Sequence, residues 1–150
     1  MRKQTKLVAV LSTAALLAIG ASMTSFAATG WAEEDGTWVY YNRDGERATD
    51  QWKKSGNNWY WLDSNGEMAI DQLIEDGDNY YYVDINGVMA ANQWVAIDNE
   101  DAGQDDEPDH YWYYFQANGK ALKNGDNSKV ALKTVNGKKY AFDDEGRMLF

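Results

Sequence analysis

Short aromatic and apolar stretches alternate with polar turns along the chain after its first 27 residues. In the segment "NNWYWLDSNGEMAIDQ", residues 57 to 72, three aromatic side chains stand side by side and lead to an Asn-Gly turn. In an extended strand Trp59 and Trp61 point to one side, and Tyr60 and Leu62 point to the other. No stretch shows a long helical period. The pattern therefore predicts short β-strands.

This pattern of strand and turn repeats along the chain. The segments "WVYYNRDGER", "WYWLDSNGEM", "YYYVDINGVM", "WYYFQANGKA" and "KYAFDDEGRM" align on a glycine, and the first three glycines are 21 residues apart. A second register with the same spacing runs through Trp31, Trp52, Leu73 and Trp94. Two registers with one period predict about five repeats of roughly 21 residues, with insertions in the later ones.

Each repeat is predicted to form a β-hairpin. The aromatic strand leads into a turn such as residues 63–66, which opens with Asp or Asn and closes with Gly, as a type I turn followed by a left-handed Gly requires. A short return strand is expected after the glycine. A lone hairpin is marginal in water, so each hairpin must be covered by its neighbours. We therefore expect an all-β solenoid of stacked β-hairpins.

The first residues predict an export signal. Three cationic residues precede an apolar run, residues 7 to 20, and small residues follow up to Ala27. The run is too short for a permanent membrane span. The sequence thus predicts a signal peptide at 1–27 and a secreted repeat module at 28–150. The chain has no cysteine, which excludes a disulfide-stapled domain.

The predicted mature chain is strongly acidic. The signal holds three of the 14 basic residues and none of the 24 acidic ones. Nucleic acid and anionic membranes are poor partners for such a surface. Aliphatic residues are sparse, whereas the chain has 7 Trp and 10 Tyr. The core must therefore be built largely from aromatic side chains.

The repeats resemble a known family. The segments "DGTWVYYNRDG", "NNWYWLDSNGEM" and "YYYVDINGVM" are similar to the choline-binding or cell-wall-binding repeats of Gram-positive surface proteins and wall hydrolases. The resemblance covers residues 30–150, and glucan-binding and clostridial toxin repeats share much of it. It implies a module that associates noncovalently with the cell wall by caging choline or phosphocholine groups of teichoic and lipoteichoic acids.

In choline-binding members, the resemblance implies a cage between consecutive hairpins. Two aromatic residues of one repeat and one of the next surround the ligand, beside a methionine. A quaternary ammonium group has no hydrogen to donate, so aromatic faces hold it, at about 0.5 to 2 kcal/mol each. Carried over by position, the first cage consists of Trp31, Trp38, Trp61 and Met68, and the second of Trp52, Trp59, Tyr82 and Met89.

The later repeats depart from this pattern. Leu73 replaces the leading Trp of the third repeat, and Lys139 and Ala141 stand at the partner positions of the fifth. A cage there would lack an aromatic wall or repel a cation, and the last repeat is expected to act as a cap. At most one weak site is expected, from Tyr80, Tyr114, Trp94 and Trp112.

An acidic insertion, residues 98–110, separates Trp94 from Trp112 and contains the only Pro and the only His. Its carboxylates fall partly at calcium-loop positions, but Ala102 occupies a ligand position and Asp109 stands in place of the final Glu. The pattern favours a flexible, solvated loop. We therefore expect neither a metal nor a cofactor.

The sequence favours a binding protein over an enzyme. With one His and no Cys, no pair of nucleophile and base is recognisable, and most carboxylates lie in turns or in the acidic loop.

Two other functions stay open. In the first, the aromatic faces stack on the sugar rings of a glucan or host glycan. In the second, the chain is a purely structural or adhesive surface protein, because a core with few aliphatic residues needs these aromatic side chains to exclude water. A homodimer is compatible with the sequence. In the glycan case, side chains that would reach sugar hydroxyls are Gln51, Gln72, Asn92 and Gln93.

Overall fold

The computed structural model describes residues 29–125 and 131–150, so the predicted signal lies outside the described residues. Within these two ranges ten β-strands form five hairpins, each a two-stranded antiparallel sheet. The predicted all-β fold of hairpin repeats is confirmed. The strands are β1 Gly30–Glu34, β2 Thr37–Tyr41, β3 Gln51–Ser55, β4 Asn58–Leu62, β5 Gln72–Asp76, β6 Asn79–Val83, β7 Gln93–Asp98, β8 His110–Phe115, β9 Leu132–Val135 and β10 Lys138–Ala141.

The chain divides into two compact units. Of the described residues, 29–74 and 82–89 form the first unit, and 75–81, 90–125 and 131–150 form the second. Hairpins β1–β2 and β3–β4 belong to the first unit, and β7–β8 and β9–β10 to the second, while β5 and β6 contribute residues to both.

Two-residue turns close four of the five described hairpins, and the acidic insertion closes β7–β8. At Asp35-Gly36 the φ angles are 53° and 81°, and at Asn136-Gly137 they are 50° and 86°. Positive φ at both central positions defines a type I′ turn, whose twist matches that of the flanking strands. Asn and Asp tolerate this conformation and Gly adopts it without steric cost, so these dipeptides specify where the chain reverses.

The predicted return after the turn glycine is present, but the main partner of the aromatic strand is the strand that precedes it, which the sequence pattern did not predict. The aromatic residue Trp61 pairs with Trp52, which precedes it. After the glycine the return is a single bridge, between Leu62 and Met68. The N–H of Ala69 donates to the carbonyl oxygen of Trp61 in its own hairpin, and the N–H of Met68 donates to the carbonyl oxygen of Trp38 in the preceding hairpin, both at 2.9 Å. The returning segment therefore binds its own strand and the neighbouring hairpin together.

The predicted turn that ends in a left-handed glycine is confirmed. Gly66 has a φ of 83°, and its N–H donates to the carbonyl oxygen of Asp63 at 2.9 Å. The Asp63 carboxylate oxygen Oδ1 accepts the N–H groups of Asn65 and Glu67, at 2.8 and 2.9 Å. An Asp at this position satisfies backbone donors that the tight turn leaves unpaired, and Asp84 and Asp143 make the same pair of bonds in the third and fifth repeats.

A backbone hydrogen bond recurs between successive hairpins. The N–H of the residue two positions after the turn glycine donates to a carbonyl oxygen on the aromatic strand of the preceding repeat, at 2.8 to 3.0 Å. These bonds join Met68 to Trp38, Met89 to Trp59, Ala121 to Tyr80, and Met148 to Trp112.

Aromatic side chains dominate the interior, as composition predicts. In the first unit a buried cluster contains Trp31, Trp38, Ala48, Tyr60, Leu62 and Met68. In the second unit Phe115 and Phe142 are fully buried, and the rings of Tyr113 and Phe115 are stacked with centroids 6.1 Å apart. Burial raises the pKa of Tyr113 to about 12, because the phenolate form is poorly solvated there.

Replacement of Gly66 by Ala tests the packing between the first two hairpins. A Cβ at Gly66 lies 2.8 Å from Cδ and 3.0 Å from Cβ of Arg47, whereas a Cβ at Gly45 meets nothing within 4 Å. Both glycines have nearly the same φ, 83° and 87°, so G45A is a matched control for the conformational cost. We expect G66A to lose about 1 to 3 kcal/mol more unfolding free energy than G45A in urea denaturation. Equal losses would show that the contact with Arg47 is unimportant.

Candidate functional site

The hairpin β3–β4 places four side chains on one face. Trp52 lies opposite Trp61, and Lys54 lies opposite Trp59. Residues directly opposite each other share a face, and so do residues two apart on one strand. The rings of Trp52 and Trp61 meet edge to face, with centroids 5.2 Å apart. The face thus carries three indole rings and one ammonium group.

Trp59 is the accessible ring of this face. Its side chain is 40% exposed, whereas Trp61 is 8% exposed. The Nζ of Lys54 lies 5.8 Å from the centroid of the Trp59 ring, within the roughly 6 Å over which a cation is attracted to an aromatic face. The ring is therefore open to water and holds a cation of the chain itself.

The other members of the second predicted cage lie in the same unit. The Met89 N–H donates to the carbonyl oxygen of Trp59 at 3.0 Å, so the backbone of Met89 lies beside the backbone of Trp59. The Tyr82 hydroxyl donates to Oδ1 of Asp71 at 2.7 Å, which orients the phenol. Trp52 is half-buried against Trp61.

Of the first predicted cage, the structure brings Trp31, Trp38 and Met68 into the buried cluster of the first unit. Both indole side chains are only 2% exposed. The Trp31 ring meets Tyr40 and Tyr60 edge to face, at 5.4 and 5.5 Å. The fourth member, Trp61, contacts Trp52 on the β3–β4 face instead. In this conformation the rings of the first cage serve packing.

The charge opposite the second-strand Trp differs between the two hairpins. Glu33 lies opposite Trp38, whereas Lys54 lies opposite Trp59. A carboxylate beside an aromatic face favours a bound cation, and an ammonium group competes with one. The first hairpin thus has the favourable charge and a covered ring, and the second has the exposed ring and a competing charge.

The two Trp residues of the weak site predicted in the later repeats have different surroundings. Trp94 packs against Tyr114 at 5.2 Å, Tyr140 at 4.8 Å and Phe142 at 6.0 Å between ring centroids. Trp112 is 41% exposed. The first of these two indoles is therefore covered by the next hairpin, and the second faces water.

Sequence reasoning missed the cations that lie over aromatic rings. For Lys54 a signal existed, because the register set by a turn at Gly56 places it opposite Trp59. For Lys123 none existed, since it is far from its ring in sequence. The pairs, with distances from the cation to the ring centroid, are Lys53 and Tyr40 at 4.7 Å, Lys54 and Trp59 at 5.8 Å, Lys123 and Tyr80 at 5.8 Å, and Arg147 and Tyr111 at 4.9 Å.

The acidic insertion connects β7 to β8 and is exposed throughout residues 100–110. The Asn99 amide nitrogen donates to a Glu107 carboxylate oxygen at 3.0 Å and to the carbonyl oxygen of Pro108 at 2.9 Å. Within the described residues no group of three or more His, Cys, Asp or Glu is arranged to hold a metal ion. Nor do the described residues include a helix with the length and apolar character of a membrane crossing.

Two family models match the sequence. The choline-binding repeat matches residues 28–72 and 52–94, and the putative cell wall binding repeat matches residues 111–121. The matched residues include the β3–β4 face and the exposed ring of Trp112. Among curated proteins no sequence matches the chain.

Solved structures give a consistent result. The choline binding domain of Spr1274 of Streptococcus pneumoniae is 33% identical over 63% of this chain and 94% of that domain, with a TM-score of 0.46. Choline binding protein F of Streptococcus pneumoniae, in the presence of a peptidoglycan analogue, is 29% identical over 82% of this chain, with a TM-score of 0.53; the match spans 34% of that protein. Truncated alternansucrase from Leuconostoc mesenteroides is 22% identical over 81% of this chain and 10% of its own, with a TM-score of 0.52, and shows likeness of fold alone.

Alanine substitutions are expected to distinguish the buried Trp31, which packs in the interior, from the exposed Trp59. Trp31→Ala removes a ring buried against Tyr40 and Tyr60, so the unfolding free energy should fall by about 3 to 5 kcal/mol. Trp59→Ala should cost clearly less, because 40% of its side chain is already in water. Urea denaturation of both variants measures the difference. Equal losses would contradict this division of roles.

Proposed function

Because the chain belongs to the choline-binding, or cell-wall-binding, repeat family, we propose that it is a non-catalytic binding module that cages choline groups. The ligands implied by the family are choline-containing components of the cell wall, and the repeat implies association with the cell surface. In our proposal the protein is secreted and binds the choline of teichoic or lipoteichoic acid noncovalently.

The observation that carries this proposal is the exposed indole of Trp59 with an ammonium group over its face. Choline bears the same charge on a larger and less hydrated head, which favours aromatic faces over water. The half-buried Trp52 on the same face supplies further apolar surface. The acidic chain would also favour a cationic group.

Binding in an aromatic cage is noncovalent, so no covalent bond is made or broken. The aromatic faces hold the ammonium group by electrostatic attraction and exclude water around its methyl groups, so no cofactor is needed. Each ring contributes about 0.5 to 2 kcal/mol, according to how far the cation is desolvated. A single cage is therefore a weak site, and tight attachment would come from several choline groups on one polymer.

A choline titration of the purified protein tests the proposal. We expect choline and tetramethylammonium to change the Trp fluorescence and to raise the melting temperature, since a ligand that binds only the folded state stabilises it. Trp59→Ala should weaken the binding of both. Ile85→Ala is a matched control, because Ile85 is 39% exposed and lies in a turn of the same unit. Unchanged affinity of the Trp59 variant would exclude this ring as a wall of the site.

Lys54→Ala should strengthen choline binding at the same face. The ammonium group of Lys54 competes for the Trp59 ring, and an exposed cation–π contact is worth about 0.5 to 1 kcal/mol, so the affinity should rise about two- to fivefold. Lys138→Ala removes the same charge from an exposed position on β10 and controls for the general field. An equal rise in both variants would show that net charge alone is responsible.

Sugar oligomers serve as the competing ligands in the same titration. Gln72, Asn92 and Gln93 are exposed and available to sugar hydroxyls, whereas the Gln51 amide donates to the Thr49 carbonyl oxygen at 3.2 Å. A shift with glucose oligomers and none with choline would favour a glycan-binding module. No response to either would favour a structural or adhesive role for the repeats.

A further inference from the structure

The third repeat carries Tyr80 at the position that Trp38 and Trp59 hold in the first two. In the second unit the Nζ of Lys123 lies 5.8 Å from the centroid of the Tyr80 ring. The same ammonium group donates to the backbone carbonyl oxygen of Asp78. One cation of the chain is thus held by an aromatic face and by a carbonyl oxygen together.

The repeat pattern explains why Lys123 reaches this ring. The N–H of Ala121 donates to the carbonyl oxygen of Tyr80 at 2.8 Å, so the segment after the fourth turn glycine runs beside Tyr80. Ala121 occupies the position that Met68 and Met89 hold in the second and third repeats, and its side chain is shorter than theirs. Lys123 stands two residues further on, where the other repeats have Thr49, Ile70 and Ala91.

The surroundings of Tyr80 attract positive charge. Glu75 lies on the strand that pairs with the strand of Tyr80. Burial raises the pKa of the Tyr80 hydroxyl, and the negative charges of nearby carboxylates raise it further. These carboxylates are Glu75, Glu145, Asp144 and Asp143. A cation over this ring is therefore favoured by the aromatic face and by the acidic groups around it.

We infer that Lys123 is a built-in substitute for the ligand cation: its ammonium group fills the aromatic site at Tyr80 and closes that site to choline. The inference rests on the proposed function, because it assigns an intramolecular ligand to one member of the same series of sites. It also gives a physical reason, beyond the missing Trp at Leu73, why the third repeat would not add a choline site.

Three variants of the chain test this inference. K123A empties the site, K123M keeps a side chain of similar length without the charge, and K120A removes a charge from the same turn region as the matched control. Calorimetric titration with choline gives the number of ligands per chain. Thermal unfolding with and without tetramethylammonium gives the stabilisation of each variant.

We expect K123A to melt lower than the unsubstituted protein and to bind one additional choline per chain. Tetramethylammonium should raise its melting temperature by roughly 4 to 8 °C more than that of the unsubstituted protein, at concentrations about ten times the dissociation constant. K123M should also melt lower, but tetramethylammonium should not restore it, because the side chain fills the space. K120A should behave like the unsubstituted protein.

The inference is overturned if K123A binds no additional choline and tetramethylammonium stabilises it no more than the unsubstituted protein. That result leaves the proposed function intact if the unsubstituted protein binds choline. Conversely, an unsubstituted protein that does not bind choline refutes the proposed function, while selective restoration of K123A by tetramethylammonium still supports the assignment of Lys123.

Discussion

One backbone hydrogen bond determines how the repeats fit together. In the described part of the chain each sheet consists of the two strands of one hairpin, so no sheet joins successive repeats. The N–H two residues after the turn glycine makes that connection, as in the bond from Met68 to Trp38. The same bond decides which side chain lies beside each aromatic strand. It brings Met89 to Trp59 but Ala121 to Tyr80, so the composition of each aromatic site follows from it.

A division of labour between the two strands of a hairpin follows from this geometry. The leading Trp of the first strand is covered by the next hairpin, as the contacts of Trp31 with Tyr60 and of Trp94 with Tyr140 show. The Trp that opens the second strand is exposed where the next repeat leaves it uncovered, as Trp59 is. Stability, and in our proposal binding, therefore depend on the same residue type at different positions. A substitution at one position need not affect the other.

The repeat, the all-β fold and the Asp-to-Gly turns could be predicted from the sequence, because each leaves a periodic trace in residue type. The pattern predicts the return after the turn glycine but not the longer pairing with the preceding strand, although Asp35-Gly36 is a strong signal for a two-residue hairpin turn. The glycine-marked turn at Gly66 repeats more conspicuously than the two-residue turns and therefore dominates the sequence pattern. The difference in exposure between Trp38 and Trp59 could not be predicted, since both occupy the same repeat position. It depends on what the neighbouring segments cover.

The lysine ammonium groups that lie over aromatic rings are held with different strengths, so an external cation would displace them in a definite order. Lys53 is half-buried at 4.7 Å from the Tyr40 ring, and Lys123 is held by a carbonyl oxygen as well as by the Tyr80 ring. Lys54 is exposed, lies at 5.8 Å, and stays close to bulk water. A well-hydrated ammonium group loses little when it leaves an aromatic face, whereas a partly desolvated one loses more. Of these three rings, Trp59 is therefore the one whose resident cation is easiest to replace, which supports the proposal that an external cation binds there rather than at Tyr40 or Tyr80.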